Sequence, residues 1–208
     1  MEIPPSHSTE VLPCSTPSLT NAGGENRVLQ ANPTYANVSV GTGTLAINSA
    51  TFTCNYIDVP KGFFVYLNLK HNTEVNTKGL IVAGQLYIKG DITVNGDIQV
   101  TTSGQMYVNV GETLTINGNL ELNGLSVVSV RPSAAYVSTP AIRTITASLS
   151  GSLNYGPESG MSYDGQTYTF QAAKSAFVGS FTSFQPTNAP SGGMIDVAAN
   201  TIALTKSS

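Results

Sequence analysis

Eight glycines between Gly79 and Gly124 divide the middle of the chain into short segments, and that punctuation limits its folding most. They stand at Gly79, Gly84, Gly90, Gly96, Gly104, Gly111, Gly118 and Gly124, spaced by 5 to 8 residues. Between them recur apolar pairs separated by one residue: Leu86/Ile88, Ile92/Val94, Ile98/Val100, Met106/Val108, Leu114/Ile116 and Leu120/Leu122. Alternation of period two, rich in β-branched residues, marks short strands with one buried face. Asn-Gly at 95–96, 117–118 and 123–124 adds turn chemistry, because both residues tolerate positive φ.

Two architectures accommodate these segments. In an antiparallel meander, sandwich or jelly roll, each Asn-Gly closes a hairpin and the next strand runs back. In a parallel β-solenoid, each Gly is a corner and the chain keeps winding. Four residues between corners are few for a meander strand. They suit a solenoid, where each strand pairs with the laps on both sides. Three segments give a lap of about 20 residues, matching the step from Gly84 to Gly104 and from Gly104 to Gly124. The sequence therefore predicts an all-β protein built on a short parallel solenoid. Leu67/Leu69, Leu86/Ile88 and Met106/Val108 are expected to stack. Looser strand patterns from residue 41 to 78 extend the expectation to three to five laps, about 15–25 Å at the strand spacing of a sheet.

The Gly spacing and alternating aliphatics resemble the repeats of bactofilin-like and virion-fibre β-solenoids. The resemblance covers about 50 residues of the 208. It implies a solenoid scaffold and no particular chemistry.

Three regions are expected. Residues 1–35 hold five of the eleven prolines and read as an extended arm. Residues 36–131 carry the solenoid. Residues 132–208 lose the Gly rhythm and read as a small β-rich cap or oligomerisation domain. Within that last region, 141–149 and 195–204 suggest strands, Asp164-Gly165 a hairpin, and 170–177 one or two helical turns.

Composition narrows the function. Charged residues are 10% of the chain, with a net charge of −3, so no basic surface is available for nucleic acid. No apolar run approaches the roughly 18–20 residues of a membrane span. The N-terminal segment lacks a basic run followed by an apolar stretch, so no secretory signal is expected there. His7 and His71 are isolated in the sequence, and the G-G-x-G-x-D calcium repeat is missing. No metal or cofactor is expected. Asp91, Asp97 and Glu112 follow corner glycines. Carboxylates six residues apart fall on successive faces of a three-sided lap, so they are expected to diverge rather than to form a glycosidase pair. Cys14 and Cys54 are the only cysteines and are a candidate disulfide. Tyr155, Tyr163, Tyr168, Phe170, Phe177, Phe181 and Phe184 cluster in the last region. They are candidates for a sugar-stacking platform, for a subunit interface or for core.

These features point to a non-enzymatic, self-assembling structural protein of a virion or an extracellular filament. A homo-oligomer is the expected partner. A carbohydrate- or receptor-binding adhesin module on the same fold is the alternative, and a polysaccharide-active enzyme the second.

Overall fold

The computed structural model describes residues 19–21, 26–29, 34–47, 49–69, 72–130, 133–155, 167–186 and 193–206. The chain winds as a parallel β-solenoid between two sheets. The longer sheet contains β1 (Leu19–Asn21), β3 (Thr34–Val40), β5 (Thr51–Val59), β7 (Thr73–Val82), β9 (Ile92–Val100), β11 (Leu114–Leu122), β13 (Ile142–Leu149) and β15 (Thr167–Ala173). The shorter sheet contains β2 (Asn26–Leu29), β4 (Gly43–Ile47), β6 (Phe64–Leu69), β8 (Gln85–Lys89), β10 (Gln105–Val108), β12 (Val127–Val130), β14 (Ser152–Tyr155) and β17 (Ser183–Pro186). Every pairing within these two sets is parallel. The hairpin alternative is thereby excluded for the repeat.

Each Asn-Gly at 95–96 and 117–118 lies inside one long strand and bends it. In β9 the inward residues are Ile92 and Val94 before the bend and Ile98 and Val100 after it. A lap thus has three straight runs, one from the short sheet and two from the bent long strand. The glycine is needed there for close approach. A Cβ on Gly96 would fall 1.8 Å from the Thr77 carbonyl oxygen of the preceding lap. At Gly118 it would fall 2.3 Å from the Gly96 oxygen. Gly118 is outside the positive-φ set, so crowding between laps, and not turn conformation, selects its glycine.

The inward residues stack lap on lap. One column runs Leu45, Leu67, Ile88, Val108, Val130, Tyr155. Another runs Val38, Ile57, Leu80, Ile98, Leu120, Ala147. All twelve are buried. Leu86/Ile88 pairs with Met106/Val108 as expected, but its other neighbour is Val65/Leu67 and not Leu67/Leu69. The step from Val65 to Leu86 is 21 residues, two more than the 19 that a Leu67-to-Leu86 pairing would give. A two-residue slip keeps every side chain on its own face, so alternation alone does not fix this register.

Five of the short-sheet strands lie between residues 36 and 131. The winding also runs on at both ends of that stretch. Two strands, β1 and β2, lie in the second half of the Pro-rich segment. Beyond residue 131, β13, β14, β15 and β17 stay parallel and in the same sheets, and β16 (Val178–Gly179) pairs with β13. A 3-10 turn over Ala134–Val137 fills the lap between β12 and β13 and buries Tyr136. The far end changes direction: β18 (Gly193–Val197) and β19 (Thr201–Lys206) form a hairpin, and β19 pairs antiparallel with β15. The helical turns expected at 170–177 are not formed. Thr167–Ala173 is strand β15, because Tyr168 and Phe170 are both inward at a spacing of two. The Asp164-Gly165 hairpin lies outside the described residues.

Candidate functional site

The outer faces of the sheets are organised into ladders. Three tyrosines at matching register, Tyr66, Tyr87 and Tyr107, stack on the short sheet. Their ring centroids are 4.8 and 4.3 Å apart, with planes inclined by 22° and 4°. A strand spacing of about 4.8 Å equals a comfortable ring-stacking distance, so parallel pairing in register brings the rings together without adjustment. Tyr87 and Tyr107 lean along their own strands and donate hydrogen bonds to Oε1 of Gln85 and Gln105 respectively. Burial raises the Tyr87 phenol above its ordinary value, and its neighbours Tyr107 and Tyr66 add to the rise. Phe64 shares this face, two residues before Tyr66, and both rings are exposed.

Beside the stack runs a groove of about 210 Å³ lined by the three tyrosines, Lys89, Asn109 and Ser129. The stack ends abruptly at each side. Thr44 precedes Tyr66 in the column, and Ser129 follows Tyr107. A second hollow of about 340 Å³ lies on the long sheet, among Thr115, Asn117, Arg143, Ile145, Ala172 and Lys174.

On the long sheet an amide ladder plays the corresponding part. Asn95 Nδ2 donates to Asn76 Oδ1 at 2.8 Å, and Asn117 Nδ2 donates to Asn95 Oδ1 at 2.8 Å. The carboxylates bond to the next lap. Asp91 Oδ1 accepts from the Thr113 backbone N–H at 2.8 Å and from its hydroxyl at 2.9 Å. Asp97 Oδ1 accepts from the Asn119 backbone N–H at 2.8 Å. The two aspartates lie on opposite sides of the β9 bend. Gln99 Nε2 donates to Glu121 Oε2 at 3.2 Å. Among the described residues no group of three or more His, Cys, Asp or Glu is placed to hold a metal ion. No helix among them is long and apolar enough to cross a membrane.

The aromatic residues named from sequence have a different place. Tyr155, Tyr168, Phe170 and Phe181 are buried in the core, and Phe177 and Phe184 pack against it. Their faces meet each other and the aliphatic columns: Tyr155 lies 6.0 Å from Phe170, and Phe181 meets Phe184 edge-on at 5.9 Å. The four buried rings have no face open to a sugar. Tyr163, His7 and His71 lie outside the described residues. Cys54 is a buried thiol, and its pairing with Cys14 lies outside the described residues. Burial pushes its pKa up to about 11, against a lowering hydrogen bond with the Thr77 side chain.

The tyrosine ladder was missed from sequence, although its signal is present. Phe64-Val65-Tyr66, Gln85-Leu86-Tyr87 and Gln105-Met106-Tyr107 repeat at the lap length, with the tyrosine outward each time. No protein-family model matches this chain, and no curated protein matches it significantly.

Proposed function

We propose that this chain is a non-enzymatic structural subunit that assembles with copies of itself, in a virion or an extracellular filament. One observation carries the reading: among the described residues, late strands of the stack expose apolar side chains. Val178, Met194 and Val197, all on the last elements β16 and β18, are 68%, 65% and 48% exposed. Met194 and Val197 lie on β18, the edge strand of the long sheet, and β17 is the edge strand of the short one. Apolar side chains next to unpaired backbone favour association, since burying them removes apolar area and satisfies the edge together. The conspicuous outer polar groups support the same reading, since Asn76, Asn95, Asn117, Asp91 and Asp97 tie lap to lap. A low charge content lets copies meet with little mutual repulsion. The likeness of the Gly spacing to virion-fibre repeats supports the setting.

Light scattering coupled to gel filtration tests this. The intact chain is expected to run as an oligomer or to form fibres visible by negative stain. The double variant Val178→Asp, Met194→Asp is expected to shift it toward a monomer with its melting temperature kept. A wild-type chain that stays monomeric at high micromolar concentration overturns the reading.

A further inference from the structure

The tyrosine stack is incomplete. Tyr87 is covered on both faces, by Tyr66 and Tyr107. Among the described residues Tyr107 is stacked on one face only, because the next position in its column is Ser129. A serine in place of a ring leaves a slot one strand spacing thick, about 4.8 Å. The bare face of Tyr107 forms one wall, Ser129 is the floor, and the groove of about 210 Å³ opens onto it. The rim is polar: Lys89 and Asn109 line the groove. One lap beyond Ser129 stands Asn154, whose Oδ1 is buried without a hydrogen-bond partner among the described residues.

We propose that this slot receives a pyranose ring, so that the side of the solenoid binds a β-linked glycan whose substituents are equatorial. Such a ring is flat, carries C–H bonds on both faces and puts its hydroxyls around the edge. Its face fits the π face of Tyr107, where an electron-rich ring attracts C–H groups. Its edge meets the hydroxyl of Ser129, the amide of Asn109 and the ammonium of Lys89. A free aromatic compound would fill the slot equally well but would leave those donors and acceptors to water and gain nothing from them. The remaining groove runs along the ladder toward Tyr66, giving the rest of a polymer a path. The site is on the side of the stack and the assembly surface is at its end, so the two proposals stand or fall separately.

The test uses cellohexaose and chitohexaose as probes with the intact chain, read by calorimetry and by tyrosine emission. The chain has no Trp, so its emission reports the tyrosines alone. Saturable binding to at least one hexasaccharide is expected. Ser129→Tyr extends the stack into the slot, and it is expected to weaken binding at least 10-fold while the melting temperature holds or rises. Asn109→Ala leaves the stack intact and is expected to weaken binding about 3-fold or more. Absence of binding to both hexasaccharides at millimolar concentration overturns the proposal. So does wild-type affinity in both variants. Binding of 2-naphthol without either hexasaccharide assigns the slot to aromatic compounds and overturns it too.

Discussion

At Cys54 a buried group contributes to how the fold responds to alkali. Its side chain lies in β5 facing the core, and only the Thr77 side chain eases its ionisation. Burial disfavours the thiolate, so the folded pKa is about 11, against an ordinary 9.0. The unfolded chain therefore releases this proton near pH 9, while the folded chain holds it until about pH 11. Between those values the unfolded state binds fewer protons, so stability falls as pH rises. The full contribution is present below pH 9 and is lost through about pH 11. Two pH units correspond to about 3 kcal/mol as an upper figure. Urea unfolding of the wild type is expected to give a stability that declines from pH 9 to 11. Cys54→Ala is expected to start lower, through the lost sulfur contacts, and to show a shallower decline over the same window. Equal slopes for the two proteins would assign the alkaline loss elsewhere. Tyr136 is the next candidate, because burial also raises its phenol, which donates to the Asn109 and Glu112 carbonyl oxygens at 3.1 and 2.7 Å.

Among the elements, the long bent strands hold their neighbours by ladders as well as by backbone bonds. Asn95 is the central member of one, donating to Asn76 and accepting from Asn117. Net gains of about 0.5–1.5 kcal/mol per neutral hydrogen bond make Asn95→Ala a loss of roughly 1–3 kcal/mol. Urea unfolding measures it. Asn117→Ala, which breaks one of these two bonds, is expected to cost about half as much. Equal and negligible losses would mean that water replaces the ladder without penalty. The same strands show how much was readable in advance. The parallel winding, the bends at Asn95-Gly96 and Asn117-Gly118 and the pairing of Leu86/Ile88 with Met106/Val108 follow from period and spacing. The partner of Leu86/Ile88 on the other side does not follow. Lap lengths vary, with steps of 21 residues from Val65 to Leu86 and 20 from Leu86 to Met106, and a two-residue change of register leaves the buried face unaltered. For the same reason, strands outside the Gly rhythm, such as β13 and β14, carry no mark that they continue the winding. Of the candidate site, the tyrosine column was legible at the lap period. The serine that interrupts it, on which the proposed slot rests, gains meaning only once Tyr107 and Ser129 are known to be neighbours.

For the whole molecule the decisive feature is the reversal of chain direction at its C-terminal end. A parallel solenoid has no intrinsic stop, because each lap offers the next the same edge it received. At the C-terminal end the direction reverses: β19 lies antiparallel on β15, with Leu204 opposite Tyr168. Ile202, Ala203 and Leu204 are buried there. The hairpin of β18 and β19 thus occupies the edge on which a further parallel strand would otherwise form. The proposed association at this end would bury side chains such as Met194 and Val197 and meet the outer edge of β18 rather than continue the parallel winding. Deletion of residues 187–208 removes that stop. Tyr168 and Phe170 lose cover, and β15 becomes an edge strand with apolar residues along its inner face. Uncovered edges of this kind recruit other strands with little selectivity. The truncated chain is expected to melt lower than the full chain and to form polydisperse aggregates that bind thioflavin T, where the full chain gives a defined size. Sedimentation velocity alongside dye binding checks both parts. A truncated chain of unchanged size and melting temperature would show that the hairpin is an appendage, and that the stack ends at β15 for reasons internal to its own laps.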